Sequence, residues 1–277
     1  MVKNKQLATF LAHLNNKQAH HIGYCGENVE EIKQTLQEDF GKDAFEIAYD
    51  DGQITAAIGL DIDGTSAEVW GPFIKEEDHA LLLTNMWQQL LEKNPTIKEF
   101  QFFINEQNKL ANTFVNSINA QQIGQHAVLL WQQQDQQVET SFIFYEPHFY
   151  EAFAELHNAA FPNTYYNADT IIKRLNDENE LLLLVDEIGQ LQGYAYIEVD
   201  NVHKEAAIEY IAIAPTFWRQ GLGTKLLSTA LARISTTHQI PEVQLTVGKT
   251  NDSALRLYIA AGFTVKHELI SYHLRKD

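Results

Sequence analysis

Cysteine is nearly absent from this 277-residue chain. Cys25 stands alone, so no disulfide framework can form within the chain and no cysteine cluster can hold a metal. Long apolar runs are missing too: nothing approaches the roughly 20 residues of a helical membrane span. The opening residues, MVKNKQLATFLAHLNN, contain no continuous apolar stretch of the secretory type. They predict no signal peptide, no membrane association and a cytoplasmic protein. Positive charge is scarce, with 20 Lys and Arg against 37 Asp and Glu, a formal net charge of −17. That balance argues against nucleic acid as a partner, because phosphate binding requires a basic face. It suits solubility and is compatible with a cationic substrate. Arginine is absent from residues 1–137, which hold nine lysines; all five arginines (Arg174, Arg219, Arg233, Arg256 and Arg275) lie beyond. Arginine is the side chain best shaped for phosphate, so its absence points away from a polyphosphate site in the first half. The eleven histidines show no HExxH or comparable spacing. No metal is therefore expected, and His20-His21 reads as a surface pair.

What is present suffices for a core. A hydrophobic content of 45% with 11% aromatics fits a globular chain of one large or two ordinary domains. The one compositional break is QQQDQQ at 132–137, directly after VLLW. It reads either as a linker or as an exposed loop within one domain, and the boundary is placed there, giving 1–137 and 138–277.

The stretch that organises the chain lies at 204–224. An apolar strand ends at Pro215, a turn follows with Gly221 and Gly223, and an amphipathic helix opens directly from it. Leu222, Leu226, Ala230 and Ile234 fall four apart on one face, joined by Leu227 and Leu231. Glycines at a helix start allow close approach of a ligand and leave first-turn N–H groups for an anion such as a pyrophosphate. The dinucleotide fingerprint G-x-G-x-x-G fails, because Leu226 stands at its third glycine, and no GK[ST] follows for a P-loop. A second stretch, NDSALRLYIAAGF at 251–263, follows a strand at 243–247.

Together the two stretches resemble the GNAT superfamily of acyl-CoA-dependent N-acyltransferases. Its first signature, R/Q-x-x-G-x-G/A between strand and helix, reads Trp218-Arg219-Gln220-Gly221-Leu222-Gly223 here. Trp218 departs from the pattern at the opening position, and Arg219 beside it is the candidate charged contact. The second signature is matched by Asn251, Ala254, Leu257, Tyr258, Gly262 and Phe263. The resemblance covers residues 138–277. The first half reads as a decayed copy: Asn108, Ala111 and Phe114 repeat the spacing of Asn251, Ala254 and Leu257, whereas Val115 stands where Tyr258 stands and no G-x-G follows Phe73. The expected fold class is α/β, two tandem GNAT-like domains, each a twisted mixed sheet flanked by helices. The alternative for the first half is an unrelated α/β domain.

The resemblance implies an N-acetyltransferase that moves an acetyl group from acetyl-CoA to a primary amine by direct attack in a ternary complex. Main-chain amides of Arg219, Gln220, Gly221, Leu222, Gly223 and Thr224 would hold the pyrophosphate. Main-chain groups of Ile211, Ala212 and Ile213 would pair with the pantetheine arm, and their strand would splay from its neighbour. Asn251 either bonds the pantetheine or caps its helix, and both can hold. Tyr258 is the candidate general acid, against a structural buried tyrosine; a phenol near pKa ~10 can protonate a departing thiolate. Glu209 is the candidate general base, on one face with Ile211 and Ile213 by period-two counting, with Glu198, Glu205 and His203 as rivals. Tyr165, Tyr166 and Tyr272, with His273 beside the last, are candidates for acceptor binding. The acceptor is a small-molecule or peptide amine and the protein a monomer or homodimer. Two other readings stay open: a non-catalytic acyl-CoA-binding or interaction module, and a two-site enzyme in which residues 1–137 also bind acyl-CoA.

Overall fold

The computed structural model describes every residue except 1, 76–79, 134–141, 163, 203 and 277. His203 and most of the expected 132–137 linker lie outside the described residues. The chain divides into two compact units, residues 1–127 with 267–277, and residues 128–266. The sequence places its boundary at 137/138 and assigns the terminal strand to the second half; the units part at 127/128, and the last eleven residues join the first.

The first unit opens with two helices, α1 (Val2–Asn15) and α2 (Val29–Glu38). Asn28 caps α2, accepting from the N–H groups of Glu30 and Glu31. Three antiparallel strands follow: β1 (Phe45–Asp50), β2 (Gln53–Asp63) and β3 (Ser66–Ile74). Then come α3 (Ala80–Lys93), β4 (Glu99–Asn105), α4 (Lys109–Ser117) and β5 (Gln121–Gln132), the strand within which the division at 127/128 falls. Strand β3 joins β4 in parallel only at Ser66, Ala67 and Glu68. The core is aromatic: Trp87 on α3 meets Phe100, Phe102 and Phe114 at ring distances of 5.1–6.0 Å.

The chain's final strand, β11 (Thr264–Arg275), pairs antiparallel with β4 from Leu269↔Asn105 to Arg275↔Glu99. Tyr272, expected at the acceptor site, is thereby a core residue of the first unit. It is 5% exposed, and its hydroxyl donates to Asn112 Oδ1 at 2.8 Å. His273 lies beside Glu99 at 3.7 Å. The surface reading of His21 is likewise corrected. Its ring is 5% exposed and stacks on His267 at 3.6 Å and 5°, with His267 Nε2 2.9 Å from Glu27. Donor atoms of His21, Glu27 and His267 lie within 4.8 Å of one another. Parallel rings hold their in-plane lone pairs side by side, not convergent on one point, as in a buried polar network.

After one added short strand, the second unit repeats the order of elements as far as α8. A short strand, β6 (Ile143–Phe144), precedes α5 (Tyr150–Ala160) and α6 (Ala168–Arg174). Asn167 caps α6, its Oδ1 accepting from Thr170 N. Strands β7 (Asn179–Val185), β8 (Leu191–Asp200) and β9 (Glu205–Ile213) form an antiparallel ladder with β6 in the order β6-β7-β8-β9. Then come α7 (Leu222–Thr237), β10 (Glu242–Gly248) and α8 (Asp252–Ala260). Strand β7 is buried nearly throughout, as its apolar run requires. Helix α7 buries the stripe Leu226, Leu227, Ala230, Leu231 and Ile234. Arg233 on it bonds Glu180 of β7 with Nε and Nη2 at 2.9 and 2.8 Å, a two-pronged pair that fixes the helix on the sheet. On α5 the buried stripe is Phe153, Leu156 and His157, continued by the buried N-cap residue Phe149.

Candidate active site

The site grows from one feature of the second unit: β9 ends a sheet, and β10 runs alongside it without joining its ladder. The register shows which groups this leaves open. Ala214 N–H bonds Gln192 O at 2.8 Å, and Ile213 stands opposite Gly193. Antiparallel pairs alternate between bonded and non-bonded, so Ala212/Tyr194 is bonded while Ile213/Gly193 and Ile211/Ala195 are not. The main-chain N–H and C=O of Ile211 and Ile213 therefore face away from β8, along the open edge. Those of Ala212 face β8, so the edge expected of three residues belongs to two. A Cβ on Gly193 would come within 2.6 Å of Ala212 O, which explains the glycine.

Beyond the open edge the chain makes one 3₁₀ turn (Pro215–Phe217) and enters α7. Arg219 and Gly221 both have positive φ, 60° and 77°. Gly221 is the N-cap, and no side chain caps the helix. The first-turn amides from Gly221 to Thr224 are thus presented outward at the positive end of the dipole. A Cβ added at Gly223 would sit 3.7 Å from Leu257 and 3.8 Å from Ile213, so the ends of β9, α7 and α8 converge there.

Helix α8 is capped by Asn251, whose Oδ1 accepts from Ala254 N at 3.1 Å. The capping role of Asn251 is therefore in place. Tyr258, seven residues on, is half-buried, with its ring edge-on to Phe263 at 5.5 Å. Burial raises its phenol above the ordinary value of 10.0, which keeps the proton on at neutral pH.

Glu209 occupies a special place. Tyr196 pairs with Tyr210 and Ile197 with Ile208, so Glu209 is the extra residue of a β-bulge. A bulge re-aims a side chain, and period-two counting from Ile211 no longer describes it. The side chain keeps solvent contact, and partial desolvation raises its carboxyl above the ordinary value; Glu198 adds to the rise and Arg174 opposes it. Of its rivals, Glu198 is already committed: it accepts from Arg174 Nε and Nη2 at 3.0 and 2.9 Å and from Tyr196 OH at 2.6 Å. Glu205 opens β9 and is exposed.

Sequence reasoning misses the scaffold of the loop between α5 and α6, which carries the expected acceptor residues Tyr165 and Tyr166. Tyr194 OH donates to His157 Nδ1 at 2.5 Å, and His157 Nε2–H donates to Tyr166 O at 2.8 Å. Two proton donors, Thr164 Oγ1 and Tyr166 N, reach Tyr210 OH at 2.6 and 3.2 Å. Burial depresses the His157 pKa, consistent with a neutral ring donating one way and accepting the other. Arg174 lies over the Tyr166 ring at 4.5 Å, and Tyr165, 89% exposed, packs beside Tyr166 at 4.8 Å. Tyr165 and Tyr166 thus come together with Arg174, Glu198 and, through electrostatics, Glu209; Tyr272 does not belong to this group. The signal for His157 is its place one turn from Phe153 and Phe161 on the inward face of α5.

Residues 147–263 match the model of the Acetyltransferase (GNAT) family. Acetyltransferases of this family use acetyl-CoA. The chain is 30% identical over 128 residues to the spermidine N(1)-acetyltransferase of Escherichia coli K12, covering 46% of this chain and 61% of that protein. It therefore spans less than two thirds of this relative's length. In fold it is similar to a GCN5-related N-acetyltransferase from Sphaerobacter thermophilus, with TM-score 0.74, 15% identity and coverage of 99% of this chain and 93% of the other. It is also similar to a tandem GNAT protein from the clavulanic acid biosynthesis pathway, with TM-score 0.62, 13% identity and coverage of 99% and 94%.

Proposed function

We propose that the second unit transfers an acetyl group from acetyl-CoA to a primary amine within a ternary complex. The observation that carries this reading is the open main-chain edge at Ile211 and Ile213, leading to the outward amides of α7 below Gly221. An edge of donors and acceptors fits the amide-bearing pantetheine arm, and a helix start with a glycine N-cap fits the pyrophosphate. The amine nitrogen attacks the thioester carbon, and the carbonyl electrons move to oxygen, where an edge N–H stabilises them. The C–S bond then breaks, and the thiolate takes the proton of Tyr258. Glu209, its basicity increased by desolvation, takes the proton lost by the amine, directly or through water. The exposed Tyr165 ring and the exposed carboxylate of Glu209 favour a cationic acceptor, and the spermidine relative makes a small polyamine the first to try.

The first unit, in this reading, holds no acyl-CoA. Val115 takes the place of Tyr258 and is fully buried in the core. Calorimetric titration of acetyl-CoA into the full chain, with Gly221→Glu alongside, tests both statements. One site per chain is expected, lost in the variant because a carboxylate and a strained φ of 77° then stand at the anion site. Thiol release should follow on adding a member of an amine panel that includes spermidine and a lysine peptide. Two sites would refute the assignment of the first unit, and no binding at millimolar ligand would refute the enzyme.

A further inference from the structure

We propose that Trp218 is a positioning residue of the acyl-CoA site: its indole N–H holds the Ile213 carbonyl in place, and its exposed ring is a wall that bound acyl-CoA covers. The inference rests on the acyl-CoA reading of the second unit. Trp218 departs from the family signature at the position where arginine or glutamine opens it, and its side chain does something specific there. Nε1–H donates to Ile213 O at 2.6 Å. The register of β9 directs that same carbonyl along the open edge, so the indole meets the edge at its last open residue. One end of this bond is the strand that offers the edge. The other belongs to the segment 218–221, which carries the two positive φ values and delivers the amides of α7. The bond therefore fixes the distance between the two parts of the site that a long, bent ligand must touch together.

The ring is otherwise unsheltered. Trp218 is 62% exposed, whereas Trp70, Trp87 and Trp131 are 3%, 6% and 8% exposed. An indole held at its nitrogen and open on its surface, at the junction of edge and anion turn, has apolar area to lose to a ligand. The carbonyl it uses has a second lone pair, so a ligand amide can share Ile213 O without displacing the indole. Removing the N–H leaves the edge and the amides present but not fixed relative to each other. The loss falls on cofactor affinity and not on the chemical step.

The contrast among the four tryptophans makes this measurable. In the full chain, acrylamide quenching of tryptophan fluorescence should be dominated by Trp218 and should fall on saturation with CoA. Trp218→Phe keeps a ring and removes the N–H; it should raise the calorimetric Kd for CoA about tenfold, the effect of losing one hydrogen bond of ~1.4 kcal/mol. Its kcat at saturating acetyl-CoA should stay within about twofold. Unchanged Kd in Trp218→Phe, unchanged quenching on saturation, or a fall in kcat without a change in Kd would each overturn the proposal. If the wild-type chain shows no heat with CoA at all, the failure belongs to the acyl-CoA reading itself.

Discussion

Along the sequence the two halves carry the same run of elements, two helices, three strands, a helix, a strand, a helix and a strand, apart from the short β6 that opens the second, and they differ where chemistry would act. Both final helices keep an asparagine cap of one geometry: Asn108 Oδ1 accepts from Ala111 N at 3.0 Å and Asn251 Oδ1 from Ala254 N at 3.1 Å. Seven residues on, one helix presents half-buried Tyr258 and the other buries Val115 completely. Both third strands have a bulge against the second. In β9 the extra residue is Glu209, exposed; in β3 the irregularity falls at Gly71-Pro72, buried. Helix α7 opens from Gly221, while Glu76, Glu77 and Asp78 precede Ala80 in the sequence, a run that would repel a pyrophosphate. What the fold needs, caps and register, is kept in both. The groups proposed for an acyl-CoA site lie in one, and in the other those positions are apolar or acidic.

The sharpest way to break this comparison is at Tyr258. Tyr258→Phe should lower kcat by about 10²-fold or more while leaving the calorimetric Kd for acetyl-CoA within about twofold, the pattern for loss of a proton donor. Val115→Tyr in the first unit should cost stability, because a larger polar ring enters a filled core, and should yield no second binding site. A loss of binding in Tyr258→Phe comparable to its loss of rate would make the tyrosine structural. A second site in Val115→Tyr would mean that one residue separates the two units.

Much of this contrast can be read in the chain itself, because it is local. Gly221 must adopt positive φ to open α7, Asn251 and Asn108 cap from three residues away, and the leucine stripe of α7 has helical period. The elements that escape such reading are set by partners far along the chain. Nothing in YHLRK names β4 as its neighbour, so Tyr272 reads as a companion of the acceptor loop although it sits beside Phe102. The bulge at Glu209 is defined by β8, and counting along β9 alone misses it. Arg174 finds Glu198 across 24 residues and His157 finds Tyr194 across 37; a lone histidine on an amphipathic helix gives no sign of either bond. His21 meets His267 across nearly the whole chain.

A smaller effect is expected at Glu209, where β3 has nothing comparable. Glu209→Gln should lower the rate by about 10- to 100-fold at neutral pH. In the wild type the rate should rise with pH as the carboxylate ionises, at a pH above the ordinary carboxylate value of 4.5, since desolvation and Glu198 both hold the proton on. The variant should lose that limb. A limb retained in Glu209→Gln would move the base elsewhere or to solvent.

The smallest effect separates a buried tyrosine that serves a site from one that serves a core. Tyr194→Phe leaves His157 Nδ1 without its donor and should cost roughly 1–3 kcal/mol. Tyr272→Phe removes the bond to Asn112 in the first unit and should cost a similar amount. The two should differ in function. His157 also holds Tyr166 O, so Tyr194→Phe loosens the acceptor loop and should raise KM for the amine several-fold, while Tyr272→Phe leaves it unchanged. They should differ in pH response as well. The folded pKa of His157 lies below its ordinary 6.5, so the unfolded chain binds the extra proton first, and stability is lost as pH falls through that value. Denaturant midpoints at pH 8 and pH 5.5 measure this: His157→Gln should flatten that part of the decline, and Tyr272→Phe should leave its slope as in the wild type. An equal rise in amine KM in both tyrosine variants would remove the distinction between the two units.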